Sequence, residues 1–432
     1  MKIFYQHLFH IKKSEIRRNI SLLIGGNGIA QVVSLIIYPF IARLFSPSAF
    51  GQLAVLFSIH SLMTTVASGR YELAVVLPAE NRHASALISI GLRIALILSV
   101  LITPALMIID HLSELFNFNL NINGWFYLLS LTVFMAAYAQ LLNGWCIRFK
   151  LVKILVGASL MLNISTAFIK LGLGFLHIED GLLYSFVIAQ VLMTGFLFLM
   201  IQKSAFKPNI QPFNNDIIPV AKTYINFPKY TLAISLLNTF STNLPVYLLA
   251  IYFSNNLTGQ FSMAFALLFK PVILYNGSVY QVLMQRVIEM HHKGKKIRSF
   301  VNRVIFRTLL IAILAGVMLF FLVPLIIRLY LGNNWDIAIS LCRVMIPWAI
   351  LSALAGPLAF IPNMFNRQFK SLVIDIFYLL LRLCALAIGI LLKNAILAIG
   401  LFAFAGVVVI FYQLMWYRKL LIEADQNKEQ VV

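Results

Sequence analysis

Charge is scarce in this sequence, and negative charge scarcest: Asp and Glu number 14 against 34 Lys and Arg in 432 residues. Charged residues make up 11% of the chain, where a soluble domain carries about 25%. The deficit falls in long stretches with no charged residue at all: Asn19–Ala42, Leu44–Gly69, Leu115–Ile147, Gly181–Gln202, Thr231–Phe269, Val344–Asn366 and Asn394–Tyr417. A large soluble core would need polar helix faces, and these stretches have none. Cysteine is also sparse. Cys146, Cys342 and Cys384 lie far apart, which excludes a disulfide framework and any cysteine-based metal site. No GxxxxGK[ST] phosphate loop occurs, which argues against direct drive by ATP.

What fills the space is hydrophobic: 61% of residues are apolar and mean hydropathy is +0.90. A helix needs about 20 apolar residues to cross the hydrocarbon of a bilayer. The apolar runs predict twelve spans, at 20–41, 50–69, 86–109, 124–145, 153–176, 181–201, 231–253, 258–281, 305–331, 336–360, 371–392 and 395–417. The fold class is therefore an all-α polytopic membrane protein.

Lys and Arg set the orientation, because cytoplasmic loops retain positive charge. With the amino terminus inside, 25 of the 34 basic residues fall in inner segments and only Arg43, Arg328 and Lys393 in outer loops. Both termini are then cytoplasmic. The net charge of +20 thus belongs to topology and to anionic inner-leaflet lipid, and nucleic acid is not an expected partner. The first 19 residues, charged and with spaced Phe, Leu and Ile, read as an amphipathic segment on the inner surface rather than a cleaved signal.

An internal echo divides the chain. LFSPSAFGQL (44–53) and YFSNNLTGQF (252–261) share Phe45/Phe253, Ser46/Ser254, Gly51/Gly259 and Gln52/Gln260 without a gap, and Gly69/Gly277 keeps the register. Both stretches join the first and second spans of a six-span set. Residues 20–201 then form an amino-terminal six-helix bundle and 231–417 a carboxy-terminal one. A cytoplasmic linker at 202–230 joins them, and 418–432 is a cytoplasmic tail. An even number of spans per half gives parallel repeats, a pseudo-two-fold arrangement in which substrate lies between halves that alternate access. Within the turn, Pro47 forces Ser46 out of helical geometry, Ser48 is placed to cap the next helix, and Gly51 and Gly259 allow close packing.

IARLFSPSAFGQLAVLFSI (41–59) and GRYELAVVLP (69–78) resemble the polysaccharide-transport branch of the multidrug/oligosaccharidyl-lipid/polysaccharide exporter superfamily, the O-antigen flippases among them. INFPKYTLAISLLNTFSTNLPVYLLAIYF (225–253) is similar to that family's seventh span. The resemblance covers nearly the whole chain and implies a flippase without enzymatic activity or cofactor. Its substrate would be an undecaprenyl-diphosphate-linked oligosaccharide, moved from the inner to the outer leaflet of the bacterial inner membrane. A polysaccharide polymerase and a chain-length regulator are candidate partners on the same reading, besides membrane lipids. The eighth span of that family often carries an Arg a few residues before a Pro. Here the stretch reads MAFALLFKPV, with Lys270 directly before Pro271, so no Arg role transfers.

Charges inside spans are costly and mark candidate sites. Arg93, Lys170, Lys270, Arg307, Arg343 and Arg382 face a single clearly intramembrane acid, Asp375, so they cannot all be neutralised as pairs. Snorkelling to a nearby surface explains Arg93, Lys170 and Arg307 as well as function does. Lys270, Arg343 and Arg382 are deeper and suit a cationic cavity for a diphosphate or acidic sugar. Asn27 and Gln31, one helical turn apart, and Asn238 and Asn243 of the seventh span offer hydrogen bonds to sugar or to other helices. Trp125, Trp145 and Trp335 lie near span ends and read as interfacial belt residues, whereas Trp348 is deep enough to stack on sugar.

Two other functions compete. A cation-coupled multidrug antiporter would normally use membrane carboxylates, and spans one and seven have none. A membrane polysaccharide polymerase would need a large outer loop with catalytic carboxylates, but the longest, near 110–123, holds only Asp110, His111 and Glu114. A lipid II flippase is mechanistically close, although that family usually shows fourteen spans.

Overall fold

A peptide group inside hydrocarbon has no water to bond, so a chain this apolar closes its backbone bonds within helices. The computed structural model describes residues 33, 36–115, 127–209, 217–293, 296–365 and 367–429, and every regular element among them is helical. The first half comprises α1 (36–44), α2 (Pro47–Ala67), the single turn α3 (Tyr71–Ala74), α4 (Asn81–Leu115), α5 (Tyr127–Arg148), α6 (Val152–Phe175), α7 (Gly181–Lys203) and α8 (Ile217–Thr223). A π-helical turn, Phe227–Thr231, leads into α9 (Leu232–Tyr252). There follow α10 (Asn255–His292), α11 (Arg298–Tyr330), α12 (Asp336–Ala355), the short α13 (Ile361–Met364), α14 (Gln368–Leu391) and α15 (Ala395–Glu429).

Eleven helical segments among the described residues are long and apolar enough to cross a membrane, and they coincide with the second to twelfth expected spans. The first expected span lies mostly outside the described residues, as do residues 1–19, Asn27, Gln31 and Trp125; only its end is seen, in α1. Three helices overrun their apolar windows at basic ends: α10 continues to His292, α11 begins at Arg298, and α15 runs to Glu429. Hydropathy senses the thickness of hydrocarbon, not the length of a helix. These overhangs pack through Leu283, Val287, Val301, Leu420 and Leu421, all buried. Asp425 on the last of them accepts from the backbone N–H groups of Ile297 and Arg298, both at 3.0 Å, capping α11 with a carboxylate at its positive end.

Contacts group the chain into two compact units, with the division inside α9 between Phe240 and Ser241, and with Phe50–Ala54 of α2 grouped with the second. In the first unit α4 packs on α5, α5 on α7, and α7 on α6. Its core gathers at the end bearing the basic loops, around Leu87, Leu141, Trp145 and Leu197. There GRYELAVVLP becomes a tight loop: Gly69 and Arg70 adopt left-handed backbone at φ 59° and 62°. The buried Glu72 accepts from Ser68 and, at 3.2 Å, from Arg70. Arg148 closes the loop from α5. Its guanidinium donates to the carbonyls of Val76, Pro78 and Ala79 at 3.4, 2.6 and 3.2 Å and to Asn81 Oδ1 at 3.0 Å. In the second unit α12 is central, touching α10, α11 and α15.

The echoed turns share one local design. Ser46 is the N-cap of α2, accepting from Ala49 N–H at 3.3 Å, with Pro47 at the first helical position. Ser254 is the N-cap of α10, accepting from Leu257 N–H at 3.2 Å. The expected cap, Ser48, lies inside the helix; Pro47, favoured at the first helical position, places the cap at Ser46. A Cβ on Gly51 would lie 1.8 Å from the Asn255 carbonyl oxygen, so only glycine allows this approach. The likeness ends at Gly69/Gly277: Gly69 turns the chain, whereas Gly277 lies within the unbroken α10. Trp145 and Trp335 are not belt residues. Each is 1% exposed; the Trp145 indole N–H serves the Phe206 carbonyl at 2.9 Å, and Trp335 packs edge-on to Phe50.

This packing sets the expected response to two substitutions. Gly51→Ala should lower stability by about 1–3 kcal/mol through overpacking, while Gly195→Ala, with open space around it, should cost nothing; thermal unfolding of the detergent-solubilised chain compares them. Arg148→Ala should cost about 2–3 kcal/mol as the charge-assisted bonds are lost. Arg148→Lys should recover little, since an ammonium cannot span the same carbonyls.

Candidate functional site

A guanidinium inside a membrane bundle must be solvated by the protein, and Arg382 on α14 is one such group, only 7% exposed. Tyr378 precedes it by one helical turn, so both side chains lie on one stripe. The Tyr378 hydroxyl accepts from Nη2 at 2.6 Å, and its ring lies 3.7 Å from the guanidinium carbon. Ser241 Oγ on α9 accepts from Nη1 at 3.0 Å. The rings of Phe402 on α15 and Trp348 on α12 stand 4.6 and 5.4 Å away.

Backbone choices make room for this box. Pro245 has no N–H, so the carbonyl of Ser241, four residues earlier, lacks its helical donor. Trp348 follows Pro347 inside α12. Trp348 also packs on Phe269 with ring centroids 4.3 Å apart. Gly406 on α15 lets the ring and the hydroxyl in: a Cβ there would lie 2.7 Å from Trp348 Nε1 and 2.9 Å from Tyr378 Oη.

The charge has no salt-bridge partner among the described residues, and its buried Nε has no hydrogen-bond acceptor. Asp375, seven residues earlier on α14, acts on it only through space. A buried cation without a carboxylate bears a desolvation penalty of several kcal/mol, which ring contacts worth about 2 kcal/mol when desolvated offset only in part. The guanidinium has five donors but only two acceptors here, both neutral hydroxyls. Phosphate or carboxylate oxygens could replace them and bind it bidentately.

The other expected site residues among the described ones do not join this box: none is among the hydrogen-bond or ring partners of Arg382. Lys270 is exposed on α10 and Asn238 is exposed on α9, while Asn243 is half-buried. Arg93 is exposed on α4 and Lys170 half-buried on α6. Arg343 serves the fold instead. Its Nε donates at 3.2 Å to the Phe320 carbonyl, and its guanidinium lies over the Phe320 ring at 5.1 Å. Phe320 is four residues before Pro324 in α11, so Arg343 supplies the donor that proline removed. Trp348, read from sequence as a sugar platform, is 6% exposed and already covered by rings.

Tyr378, Ser241, Phe402 and Gly406 were not singled out by the sequence. A signal existed for Tyr378, at the i−4 position from a deep Arg. None existed for Phe402 and Gly406, which reach the site from another helix.

Comparisons with known proteins agree with this architecture. Residues 40–340 match the model of a family described as polysaccharide biosynthesis protein. No curated protein matches the sequence significantly. Among solved structures, an inward-facing multidrug resistance MATE family transporter of the MOP superfamily superposes with TM-score 0.72 at 13% identity, over 91% of this chain and 95% of the other. The lipid II flippase MurJ in an inward closed conformation gives 0.67 at 15% identity, over 93% and 90%. A MOP superfamily transporter from Pyrococcus furiosus gives 0.55 at 14%, over 95% of each. At such identities the likeness concerns the fold, which is that of MOP-superfamily transporters. The chain belongs to the polysaccharide biosynthesis protein family.

Proposed function

We propose that the chain is a flippase that carries an undecaprenyl-diphosphate-linked oligosaccharide, an O-antigen or related repeat unit, from the inner to the outer leaflet of the bacterial inner membrane. The observation that carries this reading is Arg382: buried, held by neutral hydroxyls and rings, and without an acid in salt-bridge contact among the described residues. A membrane protein of a polysaccharide-making family that keeps an unneutralised guanidinium in its bundle has the chemistry to receive a diphosphate or an acidic sugar.

Transport proceeds by alternating access, and no covalent bond of the substrate is made or broken. Lys270 adds a second cation on the approach to the site. Arg343 is left out, because its Nε is committed to the Phe320 carbonyl. Arg93, Lys170, Asn238 and Asn243 are assigned to the glycan path, with Asn27 and Gln31 of the first span. Both termini face the cytoplasm, and a polymerase and a chain-length regulator receive the product on the far side.

Removing a buried charge can damage folding as well as function, so the choice of variant decides the test. Arg382→Met fills similar volume without charge, and such replacements of buried ionic groups are often neutral or stabilising. In a strain dependent on this chain for surface polysaccharide, Arg382→Met and Arg382→Ala should cut polysaccharide by about thirtyfold, the equivalent of a lost charge-assisted contact of about 2 kcal/mol. Membrane levels of the protein should stay normal. Lys270→Ala should also reduce the polysaccharide, and Gly406→Ala should mimic Arg382→Ala by pushing Trp348 and Tyr378 out of place. Normal polysaccharide in Arg382→Met would sink the assignment of the site. A liposome assay for exposure of lipid-linked oligosaccharide separates a flippase from a polymerase or a drug antiporter.

A further inference from the structure

A cavity of about 480 Å³ lies in the first unit, far along the chain from Arg382, at the end that carries the basic loops. It is built where three expected spans end. Asn81, Arg82 and Ser85 come from the first turns of α4, Trp145 and Phe149 from the end of α5, and the last wall from the segment after α7. Its residues therefore stand at the edges of the apolar windows 86–109, 124–145 and 181–201, with Trp145 the last residue of the second, at the depth of lipid headgroups.

The walls are fixed. The Trp145 indole donates to the Phe206 carbonyl at 2.9 Å, and Phe206 stacks on Phe149 with centroids 4.7 Å apart. The Asn209 N–H donates to Ser85 Oγ at 3.2 Å, and Arg148 holds Asn81 Oδ1 from below. Arg82 and Lys207 supply the charge, and no Asp or Glu lines the space among the described residues. Glu80, the nearest acid in sequence, lies outside these walls, 3.8 Å from His83. The amino-terminal turn of a 35-residue helix forms one side, so the N–H groups of its first turn add positive potential where the two cations already stand.

We infer that this cavity binds the phosphate of an anionic membrane lipid in the leaflet on its own face, as a site separate from Arg382. Two cations and a helix amino terminus take the phosphate; aromatic walls pack against the glycerol or sugar beside it. Headgroup depth favours a lipid over a soluble phosphate, because the lipid's phosphate is held at that level by its chains. The lipid binds here whatever the chain transports.

Native mass spectrometry of the full chain, loaded with phosphatidylglycerol or phosphatidylcholine, tests it. The wild type should retain phosphatidylglycerol preferentially. The pair Arg82→Ala with Lys207→Ala should lose about tenfold of that retention. The pair Lys203→Ala with Lys222→Ala removes equal charge from the same face without touching the cavity, and should retain the lipid. The charge-preserving pair Arg82→Lys with Lys207→Arg should bind as the wild type does, which separates loss of charge from loss of fold. Equal losses in both alanine pairs would assign the binding to diffuse surface charge and overturn the site. Displacement of the lipid by excess inorganic phosphate would overturn the lipid as its source, and absence of any headgroup preference would overturn the anion.

Discussion

Every polar group that enters hydrocarbon has to be satisfied by the protein itself, and this chain meets that constraint with almost no carboxylates. Helices satisfy the backbone except at their ends and at prolines, and at both the same few residue types recur. Ser46 and Ser254 cap helix starts. Asp425 caps another from a distant helix. Where Pro324 leaves the Phe320 carbonyl bare, Arg343 supplies the missing donor, and where the α3–α4 loop exposes a row of carbonyls, Arg148 gathers them. Arginine thus serves here as a movable set of N–H groups as well as a charge.

That use separates the cations by function. Arg343 and Arg148 are consumed by backbone oxygens, so their charge is spread over dipoles that belong to the fold. Arg382 instead meets two side-chain hydroxyls and three rings. Its surroundings solvate it without neutralising it. Depth alone, read from sequence, ranked Arg343 and Arg382 together; the difference lies in what each Nε meets, a carbonyl in one and nothing in the other.

The spans from the second onward were legible because apolar run length reports a single physical thickness. Helix overhangs were not, since the residues of α10 and α15 beyond the apolar windows pack through a separate core at the basic end. The repeat was legible as a pattern of identical residues, and it found the paired caps Ser46 and Ser254. It misassigned the cap to Ser48 because a proline at the first helical position shifts the cap one residue before it. Arg148 read as a topogenic charge and Trp145 as a belt residue. Both readings are one-dimensional: the partners, the Pro78 and Phe206 carbonyls, lie 70 and 61 residues away. The Arg382 box was legible as far as its own helix, through Tyr378, and no further.

Under the function we propose, exchange explains why the guanidinium is held by hydroxyls and rings rather than by an acid. A carboxylate partner would have to be broken away before any anionic substrate could bind, at about 3–5 kcal/mol for a buried pair. A hydroxyl hydrogen-bonded to a charge is displaced for about 1.5–3 kcal/mol. The rings demand nothing from an incoming anion, because they contact the faces of the guanidinium and leave its edges for oxygen. Asp375 lies close enough to be felt yet makes no salt bridge with Arg382, so it can steady the charge without occupying its donors. In the proposed transport cycle, a site assembled this way would release an anion as readily as it takes one. Transport requires that symmetry, and a tight buried ion pair would forbid it.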